Sequence, residues 1–468
     1  CFSFFLILIL QIVLLPLLIL KEVVLKEVRS IMSSPTRFRF LLPVVFAVVT
    51  SVSGFIDTYG HGRIKSAIPS GLTEDDALFL TPYIEKGQIE KGQDLAKVPP
   101  LLRDVESFAG YLTVNKTYNS NLFFWLFKPN RGGPGVSSLF GLFTELGPFS
   151  VTTKQKLKRR KWSWNRKYNL VFFDQPVGSG YSFTKDDKGY ARNEVDVARD
   201  LYEALVQLHK LFPSLQKNKL VITGESYAGK YIPAIGYKIY RENQVSSFKI
   251  NLGGLMIGNG FTSPGDMMHY SSFLYQIGLI DGSMQRLLKG KEDNIRAYIR
   301  AGRWSDAMAE FNLEFRTILS KIGLQNPYDF TNDKIGIDGP EVQFIQNEKT
   351  RKAIHVGNHA FNDFLKPYMF LSSDFMQSVK AWVEELLTAQ EFPILFYSGQ
   401  LDIIYHKAER CIFQVGREVA GYFKTAGTFT EVMVRNTGHM VPTTQPEWAF
   451  ALLDRFITNS SSFTSSAF

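Results

Sequence analysis

Ser226 stands in Leu220-Val-Ile-Thr-Gly-Glu-Ser-Tyr-Ala-Gly229, where an apolar run of strand length meets small residues and then an amphipathic segment through Tyr240. A sharp strand-to-helix turn tolerates only small neighbours, and it lifts a serine hydroxyl clear of the sheet. The helix start behind it offers backbone N–H groups to a developing negative charge. An unassisted hydroxyl is a poor nucleophile, so a base must lie within hydrogen-bond reach and an acid must orient that base. Folds built on this turn supply the acid and then the histidine later in the chain. Asp402, in Ser398-Gly-Gln-Leu-Asp402, and His439, in Gly438-His-Met-Val-Pro442, have that order. His406 is the competing histidine, but its stretch is charged, and Asp174 ends a strand but precedes Ser226.

The elements needed to position these groups are visible as short apolar runs. Leu122 to Phe127, Leu170 to Phe173, Leu220 to Thr223, Leu255 to Ile257, Ile394 to Tyr397 and Val432 to Val434 have strand length. Between several of them lie helical patterns such as Val195 to Phe212, with Val197, Leu201, Leu205 and Leu208 on one face. Alternation of this kind predicts an α/β fold, a mostly parallel sheet covered on both faces, with ligands at the carboxyl ends of its strands. Residues 263–390 break the pattern and read as a helical lid, with helices over Ser283 to Arg300 and Trp304 to Ile322. The expected division is a leader and signal peptide at 1–53, core at 54–262, lid at 263–390, core at 391–458 and a frayed tail at 459–468.

At this point Gly224-Glu-Ser-Tyr-Ala-Gly229 resembles the nucleophile motif of the serine carboxypeptidase family. Other matches follow in register: Gly132-Gly-Pro-Gly135 with Glu145 and Gly147-Pro148, Asp174-Gln-Pro-Val-Gly178, Ile257-Gly-Asn-Gly260, Ser398 to Asp402, and Gly438 to Pro442. The wording of Gly399-Gln-Leu-Asp402 and Asp186-Asp-Lys-Gly-Tyr190 looks most like the vitellogenic-like branch. The resemblance implies an α/β-hydrolase fold and release of C-terminal amino acids from peptides at acidic pH, through an acyl-enzyme. Within it, Ser226, Asp402 and His439 form the triad, and the N–H groups of Gly133 and Tyr227 form the oxyanion hole. Glu225, Glu145 and Gly132 bind the substrate carboxylate, with Glu225 protonated. No cofactor is implied. Two other functions fit the same chain: a secreted binding protein whose triad is a relic, and an esterase or acyltransferase using the triad.

The sequence departs from the family at three places. Leu122 to Phe127 passes through Lys-Pro-Asn-Arg131 directly to Gly132, which leaves out one strand of a hairpin. The connection after Asp402 is shortened, and Val136 stands at the oxyanion loop's usual cysteine.

The 468 residues, 45% hydrophobic and 21% charged, have the composition of a globular protein. The net charge of +9 is spread too thinly to mark a nucleic-acid binder, and the six basic residues of Lys154 to Lys161 read as a solvated loop. Cys1 to Leu20 is almost wholly apolar, yet Met32, Arg37, Arg39, the apolar run Phe40 to Val49 and small residues up to Gly54 have the layout of a secretory signal. Met32 is taken as the start, with no membrane anchor in the mature form. Loss of residues 1–53 removes five basic and two acidic side chains, leaving +6. Asn115 and Asn459 fit the glycosylation pattern of a secreted or lysosomal chain. With Cys1 removed, Cys411 has no internal disulfide partner. His355 and His359 have ligand spacing, but Gly357 between them and the lack of a third ligand argue against a metal.

Overall fold

The computed structural model describes residue 69 and residues 71–102, 105–128, 141–323, 326–332, 339–362, 365–402 and 411–458. The leader and signal, Gly132, Gly133, Val136, His406, Asn459 and the tail lie outside the described residues. The strands are β1 (Lys97–Val98), β2 (Ser107–Asn115), β3 (Ser120–Phe127), β4 (Phe149–Val151), β5 (Leu157–Arg159), β6 (Leu170–Phe173), β7 (Leu220–Glu225), β8 (Leu252–Gly258), β9 (Ile394–Gly399), β10 (Cys411–Val415), β11 (Glu418–Ala426) and β12 (Phe429–Val434). The helices of ten or more residues are α1 (Glu194–Leu211), α2 (Ala228–Val245), α3 (Gly282–Arg300), α4 (Trp304–Ile322), α5 (Lys380–Ala389) and α6 (Pro446–Thr458).

Strands β7, β8, β9 and β12 run parallel, and β12 continues antiparallel into β11 and β10. Their side chains alternate between two buried layers, as expected of strands covered on both faces. Val221, Met256, Leu395 and Val432 pack on one side with Trp448 and Leu452 of α6. Ile222, Leu255, Ile257 and Ile394 pack on the other with Leu205 of α1 and Ile235 of α2. The register pairs Glu225 with Gly258 and Gly258 with Tyr397, so the carboxyl ends of β7, β8 and β9 lie together.

A second sheet, in the order β1-β2-β3-β6, is antiparallel throughout. Its two layers are the same two layers: Phe172 of β6 packs in the cluster of Val221, and Phe173 in that of Ile222. Among the described residues β6 and β7 each end a sheet, so the α/β layer is interrupted between two buried strands.

Helix α1 starts where the Asn193 side chain accepts the Asp196 N–H at 2.9 Å, satisfying a donor the first turn leaves open. In α2, Pro233 has no N–H to give the Gly229 carbonyl four residues back, and the Thr262 hydroxyl donates to that oxygen at 3.1 Å. Helices α3 and α4, in the stretch read above as a lid, pack together around Leu288, Ile295, Phe311 and Phe315. The segment between them and the core is not all lid. Phe344, Ile345, Ile354 and Val356 join the cluster of the main sheet. Residues 326–332 pass back over the carboxyl ends, where the Phe330 N–H faces the Leu401 carbonyl at 3.4 Å.

Candidate functional site

Strand β7 ends at Glu225, and Ser226 follows with φ +62°, a left-handed conformation that costs a non-glycine residue energy. Two bonds to the end of β8 hold it there: the Ser226 N–H donates to the Gly258 carbonyl and the Phe261 N–H to the Ser226 carbonyl, each at 2.9 Å. Close approach explains the small residues. A Cβ on Gly229 would stand 2.3 Å from the Phe261 nitrogen, and one on Gly224 would stand 2.8 Å from the Ala228 Cβ.

Asp402 and His439 come from the turns after β9 and β12 and are both buried. His439 Nδ1 and Asp402 Oδ2 are 2.8 Å apart, which fixes the ring with Nδ1–H as donor. Asn259, just past the end of β8, binds this pair. Its Nδ2 donates to Asp402 Oδ2 at 2.6 Å and to the His439 carbonyl at 3.2 Å, and its Oδ1 accepts the Gly399 N–H at 3.0 Å. The lid segment contributes too, since the His439 N–H donates to the Tyr328 carbonyl at 2.7 Å and the Tyr328 ring lies 5.0 Å from the imidazole. A Cβ on Gly438 would come within 2.1 Å of that carbonyl oxygen.

Glu225 keeps some exposure as a residue, but its Oε2 is closed off from solvent without a partner, as is Oε1 of Glu145. Burial raises the Glu225 carboxyl well above the usual carboxylate range, and Glu145, Asp402 and a hydrogen bond with Glu145 raise it further. Burial pushes Glu145 up to about 7 against the pull of His439, Arg160 and the hydrogen bond from Glu225. Two carboxyls so close cannot both ionise readily, so the pair retains a proton. Arg160 anchors this corner by donating to the Glu145 carbonyl at 2.8 Å.

Of the residues singled out from the sequence, the structure joins Asp402 to His439 and Glu225 to Glu145, and places Ser226 and Tyr227 at the same strand ends. Asp174 is elsewhere: its Oδ2 accepts the Tyr181 N–H at 2.7 Å across a turn where Gly180 leaves room. His355 faces the Lys97 carbonyl at 3.3 Å and His359 stacks on Phe183 at 4.0 Å. Asn115 is half-buried at the turn between β2 and β3, its Oδ1 accepting the Thr117 N–H at 3.0 Å. Sequence reasoning missed Asn259, although it lies inside the motif Ile257 to Gly260.

The family model described as serine carboxypeptidase matches residues 99–459. A venom serine carboxypeptidase of Apis mellifera is 41% identical over 83% of this chain and 93% of its own length. A probable serine carboxypeptidase, CPVL, of Homo sapiens is 40% identical over 88% of this chain and 96% of its own. The vitellogenic carboxypeptidase of Aedes aegypti is 39% identical over 90% and 98%. The crystal structure of Kex1(delta)p, a prohormone-processing carboxypeptidase from Saccharomyces cerevisiae, superposes with a TM-score of 0.69 at 22% identity, covering 78% of this chain and 96% of that one.

Proposed function

The chain belongs to the serine carboxypeptidase family and is a serine-type carboxypeptidase of α/β-hydrolase fold, and we propose that Ser226, Asp402 and His439 carry its reaction. The observation that carries this reading is the buried Asp402–His439 pair, held by Asn259 at the strand ends from which the Ser226 turn projects. Ser226 Oγ attacks the carbonyl carbon of the last peptide bond and passes its proton to His439 Nε2. His439 then gives that proton to the departing amino group, and Asp402 stabilises the imidazolium between the two transfers. Water attacks the resulting ester by the same route and frees Ser226. The N–H groups of Tyr227 and Gly133 are assigned to the oxyanion.

A carboxypeptidase must bind a free carboxylate, and an ionised Glu225 would repel it. A protonated Glu225, paired with Glu145, instead donates a hydrogen bond, and Gly132 is assigned to the same carboxylate. Burial and the like neighbour, which keep a proton on the pair, support this role and favour acidic pH. The expected substrates are therefore peptide and protein C-termini. We place the mature enzyme in the secretory pathway, secreted or lysosomal, with Asn115 and Asn459 glycosylated. The signal layout from Met32 to Gly54 and the two acceptor tripeptides support this. No described helix is long and apolar enough to cross a membrane.

The test is a mass ladder at acidic pH. A peptide with a free C-terminus loses residues one at a time and its C-terminal amide survives longer. Equal turnover of both forms contradicts the carboxylate site.

A further inference from the structure

Directly behind the nucleophile turn lies a buried charged cluster that the proposed reaction does not use. Lys230, in the first turn of α2, has no exposed surface. A cation is disfavoured there by the helix dipole and by burial, which lysine seldom accepts unless paired. Its partner is Asp374, on the lid segment between Leu365–Leu371 and α5: Nζ lies 2.6 Å from Oδ2 and also donates to the Asp374 carbonyl. The neighbouring Phe375 stacks on Tyr227 with ring centroids 4.9 Å apart, and Tyr231 meets the same ring edge-on at 5.1 Å. Lys230 Nζ sits 5.5 Å over that ring. On the remaining side the buried carboxyl of Glu194, the first residue of α1, lies near enough to the Tyr227 hydroxyl for each to shift the other's titration, and neither the carboxyl oxygens nor the hydroxyl has a hydrogen-bonding partner.

We propose that Lys230, Asp374 and Glu194 are positioning residues that clamp Tyr227 between α1, α2 and the lid, and so fix the backbone N–H assigned to the oxyanion. This rests on the catalytic reading above. A buried ion pair adds little stability over an apolar pair of the same shape, whereas an oxyanion donor displaced by about 1 Å can cost on the order of 100-fold in rate. The groups facing Glu194 are Tyr227 from the turn, Lys230 and Tyr231 from α2 and Asp374 from the lid. Burial, followed by Asp374, raises the Glu194 carboxyl to about 8 against Lys230 and Tyr227. Below that pH the cluster holds one cation and one anion. Above it a second anion competes with Asp374 for Lys230 and the clamp loosens.

The experiment follows hydrolysis of a blocked amino-acid ester, which has no free carboxylate, from pH 5 to 9.5 with the full chain, Glu194→Gln and Lys230→Met. Fluorophosphonate labelling counts functional Ser226 in each. The expected results are a loss of wild-type turnover near pH 8 that moves up by more than about one unit in Glu194→Gln, and a fall in kcat of about tenfold at nearly constant KM in Lys230→Met. Where Lys230→Met does not fold, the Glu194→Gln profile decides alone. An unmoved profile in Glu194→Gln, or a Lys230→Met enzyme that loses only thermal stability, overturns the clamp while labelled wild type leaves the catalytic reading standing. A folded wild-type chain that takes no label overturns both.

Discussion

Replacing Glu225 with glutamine removes the titration but keeps a hydrogen-bond donor, which makes it the sharpest probe of the carboxylate site. In the wild type Glu145 is raised to about 7, and burial with the neighbouring Glu145 raises Glu225 well above the ordinary carboxylate range. For a carboxyl whose folded value is raised, the protonated form persists below that value and is lost as pH rises through it. Substrate binding by the pair is therefore strong at pH 5 and weakens above neutrality. With a midpoint near 7, about tenfold is lost by pH 8. The assay is the ratio of kcat/KM for a blocked dipeptide to kcat/KM for its C-terminal ester, in which pH effects common to the two substrates cancel. Wild type should show that tenfold fall, Glu225→Gln about threefold or less, and Glu225→Leu a deficit of about 10- to 100-fold against wild type at pH 5, the worth of a hydrogen bond to a charged group, which narrows as the wild type declines. Parallel wild-type and Glu225→Gln curves refute the proposed role.

Three further outcomes follow from the same geometry. Asn259→Ala removes one of the two donors to Asp402 Oδ2 and the acceptor of the Gly399 N–H, so kcat should fall by about tenfold or more and unfolding should cost about 2 kcal/mol less, measured by kinetics and denaturant titration. Gly438→Ala puts a methyl group against the Tyr328 carbonyl, and should cost about 3 kcal/mol of stability through overpacking, read as a lower Tm. Glu314, buried between lid helices with both carboxyl oxygens unpartnered, is raised by burial to about 9. Its penalty grows as pH rises from the ordinary carboxylate range toward 9, so Glu314→Gln should match wild type near pH 4.5 and exceed it by about 3 kcal/mol at pH 7.

What the sequence revealed depended on how local the signal was. The Ser226 turn was legible because an apolar run and small residues adjoin, and α4 runs over Trp304–Ile322 as the periodicity required. Strand β10 escaped notice because it is a largely exposed edge with no apolar alternation. Strand β2 escaped because Ala109, Gly110 and Thr113 break its apolar run. Asp402 and His439 could be ordered along the chain, but Asn259, which holds them, is recognisable only once three strand ends meet. Lys230 reads in sequence as an ordinary lysine on an amphipathic helix. Its burial depends on Asp374, 144 residues later.

The most direct measurement is mass spectrometry of the full chain after reaction with a fluorophosphonate at mildly acidic to neutral pH. A single adduct on Ser226, lost in Ser226→Ala and slowed by about 1000-fold or more in His439→Ala, is the result required of a nucleophile activated by the Asp402–His439 pair. A folded chain with no adduct on Ser226, or labelling that proceeds unchanged without His439, contradicts it.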